Sequence, residues 1–422
     1  MSLLPVKTMS SLQLLLLIFT LFTGIFAKAD ERKNFWHTEF QLTENQVLPV
    51  TFYFDETDPS QLIIYNAEER IPLNKIERRN DSIFVKIELF NSELKCKIVH
   101  PDTIQGAWFN YNRGTSYSIP FISYHTYQPR FKKIDPTIDI IGKWEVTFNY
   151  NSGPTKAIGL FNTIDEPYAT KNSNKIKNIK GTFMTETGDY RYLEGGISHD
   201  TLHLSTFDGV HAYLFNAKLV NDTLYGKFYS GNHFQVDWFA VRNETFELTN
   251  PFDLTYLVNE EELNFSIPDL DNNIYTYPNQ ETKNKVTLVQ LMGTWCPNCL
   301  DENNYLKTVA KNFGDDIEII SLAFEMGNSQ SESAAKVNIY KESLGLDFTF
   351  LIAGKASKDI ASELFPMVNK IISFPTLFII DKQGIIRHIH TGFNGPGTGE
   401  YYTHFVSETN LLITDLIQEK VK

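Results

Sequence analysis

The sequence predicts two kinds of architecture in one chain: an all-β N-terminal region and an α/β domain at the C-terminus. Two observations predict this. From about residue 36 to 245 short alternating segments are broken by Ser, Asn, Asp and Gly, while after residue 262 strand-length and helix-length patterns alternate. A third observation bears on chemistry: of only three cysteines, Cys96, Cys296 and Cys299, two form one Cys-x-x-Cys.

Length and composition set the limits. A chain of 422 residues exceeds one ordinary core and implies several domains. Aromatic residues reach 14%, led by 32 Phe and 20 Tyr, which favours β structure. The net charge of −13, with no Lys/Arg cluster to offset it, argues against nucleic acid as a partner.

At the N-terminus Lys7 precedes an apolar run from Leu14 to Phe26, and Ala27-Lys28-Ala29 fits the small-x-small rule of signal peptidase. Residues 1–29 are therefore expected to be a signal peptide, with a mature chain from near Asp30 that is soluble outside the cytoplasm. The rival reading keeps the signal uncleaved as a tether to the inner membrane. The run is short for a spanning helix, which takes about 20 apolar residues.

Within the β-rich part, Val50–Phe54, Ile83–Ile87 and Val146–Tyr150 read as strands. The region also looks duplicated, as units 30–135 and 136–245. Asp81-Ser82-Ile83, Phe90-Asn91-Ser92, Asp102-Thr103-Ile104-Gln105-Gly106 and Phe121 form one series. Asp200-Thr201-Leu202, Phe207-Asp208-Gly209, Asp222-Thr223-Leu224-Tyr225-Gly226 and Phe239 form the other. The offset stays near ~120 residues, as a repeated unit would leave it. Each unit is expected to be a meander, closed as a sandwich or a barrel-like sheet; chance likeness between β-rich stretches is the alternative. Gly142-Lys143-Trp144 faintly resembles the Gly-x-Trp of lipocalin-type barrels. Trp36, Trp108, Trp144 and Trp238 are expected in cores.

Residues 246–262, with Asn250-Pro251 and an acidic run ending at Glu262, read as an exposed linker or short helix. Then Val286–Met292 is largely apolar, as in a central strand buried on both faces. Asn298–Phe313 is an amphipathic helix, Ile317–Phe324 a strand, Glu332–Leu344 a helix and Phe348–Ile352 a strand. Lys358–Phe365 is helical, Thr376–Ile380 and Ile385–His390 form a hairpin around Asp381–Gly384, and Tyr401–Lys420 closes the domain as a helix.

The dithiol lies where the first strand hands over to its helix, in Gly293-Thr294-Trp295-Cys296-Pro297-Asn298-Cys299. There the first sulfur meets orphan N–H groups and the positive end of the helix dipole, which favours thiolate. Only the thiolate attacks a disulfide. Two intervening residues place the second sulfur one turn on, where it can resolve a mixed disulfide. Pro297 sits where its missing N–H costs nothing. The alternative is half a zinc site, which needs four ligands. No second Cys-x-x-Cys lies nearby, and His388 and His390 cannot be argued to converge on this one, so neither metal nor cofactor is expected.

These motifs carry a resemblance. Phe265–Asp271, Thr294–Cys299 and Phe374-Pro375-Thr376-Leu377-Phe378-Ile379-Ile380-Asp381 stand in the order of the TlpA/ResA-type thioredoxin-like family of exported, membrane-facing reductases, which residues 263–422 resemble. The resemblance implies an α/β thioredoxin fold, with Cys296 as nucleophile, Cys299 as resolving thiol and Pro375 as a cis-proline facing them. It also implies that Glu302, three residues beyond Cys299, assists proton transfer; an ordinary solvated first-turn glutamate is the alternative. Thioredoxin itself has a buried Asp where Gln290 stands here, which leaves Glu302 as the better base and Glu325 as a weaker one. Asn298 departs from the commoner dipeptides between the cysteines. Cys96, within Leu94–Ile98, reads as a structural thiol.

The expected function is a thiol–disulfide oxidoreductase of the cell envelope, periplasmic, that reduces exported proteins or apocytochromes. The resemblance implies electrons from a membrane thiol-relay partner. Two alternatives stay open: a disulfide-forming oxidant, and a ligand-binding β region with an accessory redox domain. A peroxidase of the peroxiredoxin kind would need Pro and Thr or Ser where Val289 and Gly293 stand.

Overall fold

The computed structural model describes residues 34–54, 58, 60–131, 139–165, 177–259 and 262–420. The expected signal peptide lies outside them. No helix among the described residues is long and apolar enough to cross a membrane.

Nine antiparallel strands form the first sheet: β1 (Phe35–Thr43), β2 (Gln46–Phe54), β3 (Leu62–Asn66), β4 (Glu69–Leu73), β5 (Ile76–Arg79), β6 (Ser82–Ile87), β7 (Ser92–His100), β8 (Thr103–Asn110) and β9 (Ser118–Tyr124). The order is β4-β3-β2-β1-β9-β8-β7-β6-β5. Because β9 returns to β1, the sheet curls, and its two edges are the consecutive strands β4 and β5. Inward residues alternate with outward ones, as in Ile83, Val85 and Ile87 of β6.

Nine more strands follow: β10 (Gly142–Tyr150), β11 (Gly153–Asp165), β12 (Lys177–Thr185), β13 (Gly188–Asp189), β14 (Leu193–Ser198), β15 (Thr201–Phe207), β16 (Ala212–Val220), β17 (Thr223–Ser230) and β18 (Phe234–Arg242). Their order is β11-β10-β18-β17-β16-β15-β14-β12-β13, and an extra β11–β12 pairing closes the ring. Trp144, Phe148, Phe183, Phe215 and Trp238 pack its interior, so this barrel is filled with side chains. Trp144 donates to the Ile140 carbonyl at 2.8 Å, and the Arg242 guanidinium lies 4.8 Å from its ring centroid. Trp36 is only half-buried, stacked at 4.6 Å on His125.

The two sheets share one seven-strand run of neighbours, β2-β1-β9-β8-β7-β6-β5 in the first and β11-β10-β18-β17-β16-β15-β14 in the second, and β8 and β17 share one burial pattern. Gly106 and Gly226 hold matching places in those strands. A Cβ at either would strike the neighbouring strand's carbonyl, of Lys95 or Asn216. The β16–β17 turn uses Asn221 and Asp222, both at positive φ (48° and 60°), the conformation a tight hairpin requires.

The barrels are fused by a shared core. Phe207, at the end of β15, stacks on Phe40 at 4.8 Å and meets Trp108 edge-on at 5.2 Å inside the first barrel. Asn66 holds it there, donating to the Phe207 carbonyl at 2.9 Å and accepting its N–H at 3.2 Å.

The segment 246–262 is docked on the C-terminal domain, not exposed throughout. Its helix α1 (Pro251–Leu254) places Phe252 edge-on against His388 at 4.4 Å. Thr255 is buried and donates to the Lys370 carbonyl at 3.1 Å. Residues 260–261 lie outside the described residues.

A hairpin, β19 (Phe265–Pro268) and β20 (Ile274–Tyr277), opens the C-terminal domain. Then come β21 (Val286–Met292), α2 (Pro297–Phe313), β22 (Ile317–Glu325), α3 (Gln330–Leu344), β23 (Thr349–Lys355), α4 (Lys358–Leu364), β24 (Thr376–Ile380), β25 (Ile386–Thr391) and α5 (Glu400–Gln418). The sheet order is β23-β22-β21-β24-β25; β21 and β22 are parallel, and β24 runs antiparallel to β21. Every residue of β21 is buried, which is why its sequence carries no alternation. Its C-terminal end delivers the chain to the dithiol.

Candidate active site

Cys296 caps α2. Its sulfur accepts the Cys299 N–H at 3.2 Å, its carbonyl accepts the Leu300 N–H at 3.1 Å, and Pro297 takes the first helical position. Cys296 and Cys299 form a disulfide with Cα atoms 5.2 Å apart. Cys296 is 6% exposed and Cys299 fully buried, so Cys296 is the sulfur a substrate can reach.

The turn before the dithiol is held from below. Glu325, at the end of β22, accepts the Thr294 N–H at 2.7 Å and the Thr294 hydroxyl at 2.8 Å. Burial pushes the Glu325 carboxyl up, and the two Thr294 donors oppose it. Trp295 donates to the Phe324 carbonyl at 2.9 Å. Across from it the Phe374–Pro375 bond is cis, and the Phe374 carbonyl lies 3.4 Å from the Cys296 sulfur.

Glu302 lies on the inner face of α2 and is fully buried, so the solvated first-turn glutamate is excluded. Gln290 donates to its Oε2 at 2.7 Å and itself accepts the Ser321 hydroxyl at 2.9 Å; Oε1 has no partner. Burial raises the carboxyl to about 8, only partly opposed by Gln290, so it carries a proton at neutral pH. Gln290 is thus the hydrogen-bond partner of the buried Glu302 carboxyl.

The remaining candidates sit elsewhere. His388 and His390 lie on β25, packed against Phe252 and Phe405 and driven by burial down to about 4 and about 3. Cys96 lies in the first barrel, a free thiol 3.5 Å from the Ile83 carbonyl and raised by burial to about 12.

Sequence reasoning missed the wall of the site that comes from the second barrel. A cleft of about 260 Å³ beside Cys296 is lined by Trp295 and Pro297 and, from the barrel, by Thr187, Asp189, His211 and Tyr213. Gly188 abuts the Asn298 side chain, and the Thr187 carbonyl accepts the Ser373 hydroxyl at 3.0 Å, one residue before Phe374. Arg191 is buried and reaches the Pro297 carbonyl at 3.2 Å and the Asp301 carboxylate at 2.6 Å. It also pairs with Glu69 and lies 3.8 Å from Asp208. Apart from Arg191–Asp208, these contacts span more than a hundred residues of sequence and leave no local pattern.

Residues 258–403 match the family model described as Redoxin. This stretch is a redoxin domain. The thioredoxin-like protein YneN of Bacillus subtilis is 27% identical to the chain over 113 residues, which cover 27% of this chain and 60% of YneN. The thiol:disulfide interchange protein DsbE of Escherichia coli K12 is 28% identical over 174 residues, 39% of this chain and 80% of DsbE. Among solved structures, a thiol:disulfide interchange protein of the thioredoxin family from Chlorobium tepidum has a TM-score of 0.29 at 18% identity, covering 38% of this chain and 98% of that one. The barrel strands, between residues 35 and 242, lie outside the matched stretch 258–403.

Proposed function

We propose that this chain is an exported thiol–disulfide oxidoreductase of the cell envelope that reduces disulfides in other proteins, exported proteins or apocytochromes, through Cys296 and Cys299. The observation that carries this reading is a helix-capping Cys296, the more exposed of the two sulfurs, beside the cis Phe374–Pro375 bond, with Cys299 buried one turn behind. The thiol:disulfide interchange relatives support the same chemistry.

In the reductive direction the Cys296 thiolate attacks one sulfur of the substrate disulfide and the other sulfur leaves as a thiolate, which takes up a proton. Cys299 loses its proton and attacks the Cys296 sulfur of the mixed disulfide. The second substrate sulfur then leaves, and the protein retains the Cys296–Cys299 disulfide. Two electrons pass from protein to substrate. Glu302 is the acid–base group of the resolving half, and Glu325 positions the turn through Thr294. A membrane thiol-relay protein regenerates the dithiol. If the signal is not cleaved, it tethers the domain near that partner.

Trapping tests the assignment. Incubated reduced with a disulfide-bonded peptide, Cys299→Ser is expected to accumulate a mixed disulfide on Cys296, and Cys296→Ser none. Trapping on Cys96, or on neither variant, would remove the reading.

A further inference from the structure

We propose that the second barrel owns part of this active site: Arg191 is a positioning residue that holds the first turn of α2 and, balanced against Asp301, sets how readily Cys296 ionises. The inference rests on the proposed thiol–disulfide chemistry and adds a residue to it from outside the redoxin domain.

Three observations converge. First, the Arg191 guanidinium bonds the carbonyl of Pro297, the residue after the nucleophile, and the carboxylate of Asp301 on the same helix. Second, Arg191 takes a left-handed backbone conformation, φ 58°, which a non-glycine side chain adopts at a cost unless its contacts over-determine it. Those contacts are Glu69 from the first barrel, Asp208 from the second and Asp301 from the redoxin domain, so one buried side chain ties three units together. Third, the segment just before it grips both sides of the dithiol, at Asn298 through Gly188 and at Ser373 through Thr187.

The electrostatics follow from the placement. A cation held against the first turn of α2 adds to the helix dipole and favours thiolate at Cys296, while Asp301 on that helix opposes it. Asp189, in the same cleft wall, has both oxygens buried without a partner, and His211 pairs with Asp208 at 3.2 Å. From below, Glu325 lies under Thr294, and Glu302 is buried on the inner face of α2. None of these side chains is itself altered by a substitution at Arg191 or Asp301. Arg191 is thus the one cation in the named set, and Asp301 is its partner on the helix that carries the nucleophile.

The two residues should therefore act with opposite sign. The test measures the pH dependence of iodoacetamide alkylation of Cys296 in the full chain carrying Cys299→Ser. Asp301→Asn is expected to move the midpoint down, and Arg191→Met to move it up, each by about half a unit, or about threefold in thiolate below the midpoint. Arg191→Met leaves buried carboxylates uncompensated; should it fail to fold, Arg191→Lys replaces it with a smaller upward shift, because a point charge cannot reproduce the forked contact. A purely structural role would give shifts of one sign or none, and either result overturns the proposal. Exchange of the unmodified dithiol with glutathione disulfide, measured alongside, tests the underlying activity separately. Its failure would remove the proposed function while the alkylation midpoints still decide on Arg191.

Discussion

Glu302 is where burial and chemistry meet most sharply at the scale of single residues. Its carboxyl is held neutral up to about 8 against an ordinary value of 4.5. The folded protein therefore binds a proton that the unfolded chain releases, so stability falls as pH rises between those values, by about 1.4 kcal/mol per unit at most. Glu302→Gln should remove this slope: its melting temperature, compared with the parent, should gain more at pH 8 than at pH 5. The same variant should slow the resolving half-reaction by about a hundredfold or more if Glu302 is the acid–base group. Equal rates in single-turnover resolution of the mixed disulfide would assign it to stability alone. Glu325→Ala should act differently, costing about 1–3 kcal/mol in denaturant titrations because the Thr294 N–H and hydroxyl lose their acceptor. Both dithiol cysteines were legible in sequence because their chemistry depends on local spacing, whereas Pro375 was reached only through the family resemblance. Arg191 and Asp301 were not legible, because a buried ion pair between residues 110 apart obeys no local rule.

Among the elements, strands and helices of the redoxin domain were readable because their patterns are strong. Val286–Met292 is a largely apolar run and became the central strand, buried along its whole length. The helix expected over Asn298–Phe313 begins one residue earlier, since Pro297 itself takes the first helical position. The β19–β20 hairpin was not foreseen as such: Phe265–Asp271 read only as an entry segment, its pairing with Ile274–Tyr277 being a matter of register. For the second β unit the sequence left a sandwich and a barrel-like sheet both open, and the β11–β12 pairing, a long-range contact, is what makes it a ring. The short β12–β13 hairpin matters most for the site. Gly188 has φ 143°, and a Cβ there would run into the Asn298 amide. Gly188→Val should prise this hairpin from the dithiol, seen as faster amide exchange over residues 185–192 and the first turn of α2, with the barrel interior unchanged.

Across the whole molecule, the barrels and the redoxin domain behave as one packed body. Phe207 from the second barrel completes the core of the first, and Leu300 of the active-site helix packs on that same core. Phe207→Ala should cost about 3–5 kcal/mol and loosen both barrels together, where independent domains would confine the loss to one. This arrangement makes the β region a wall of the cleft beside Cys296. The direction of electron flow is the central claim, and the equilibrium reduction potential of the Cys296/Cys299 pair in glutathione buffers tests it most directly. A value of about −200 mV or lower, toward the −270 mV of thioredoxin, is expected for a reductase kept reduced by a membrane partner. A value near about −120 mV would mark a disulfide-forming oxidant and contradict it.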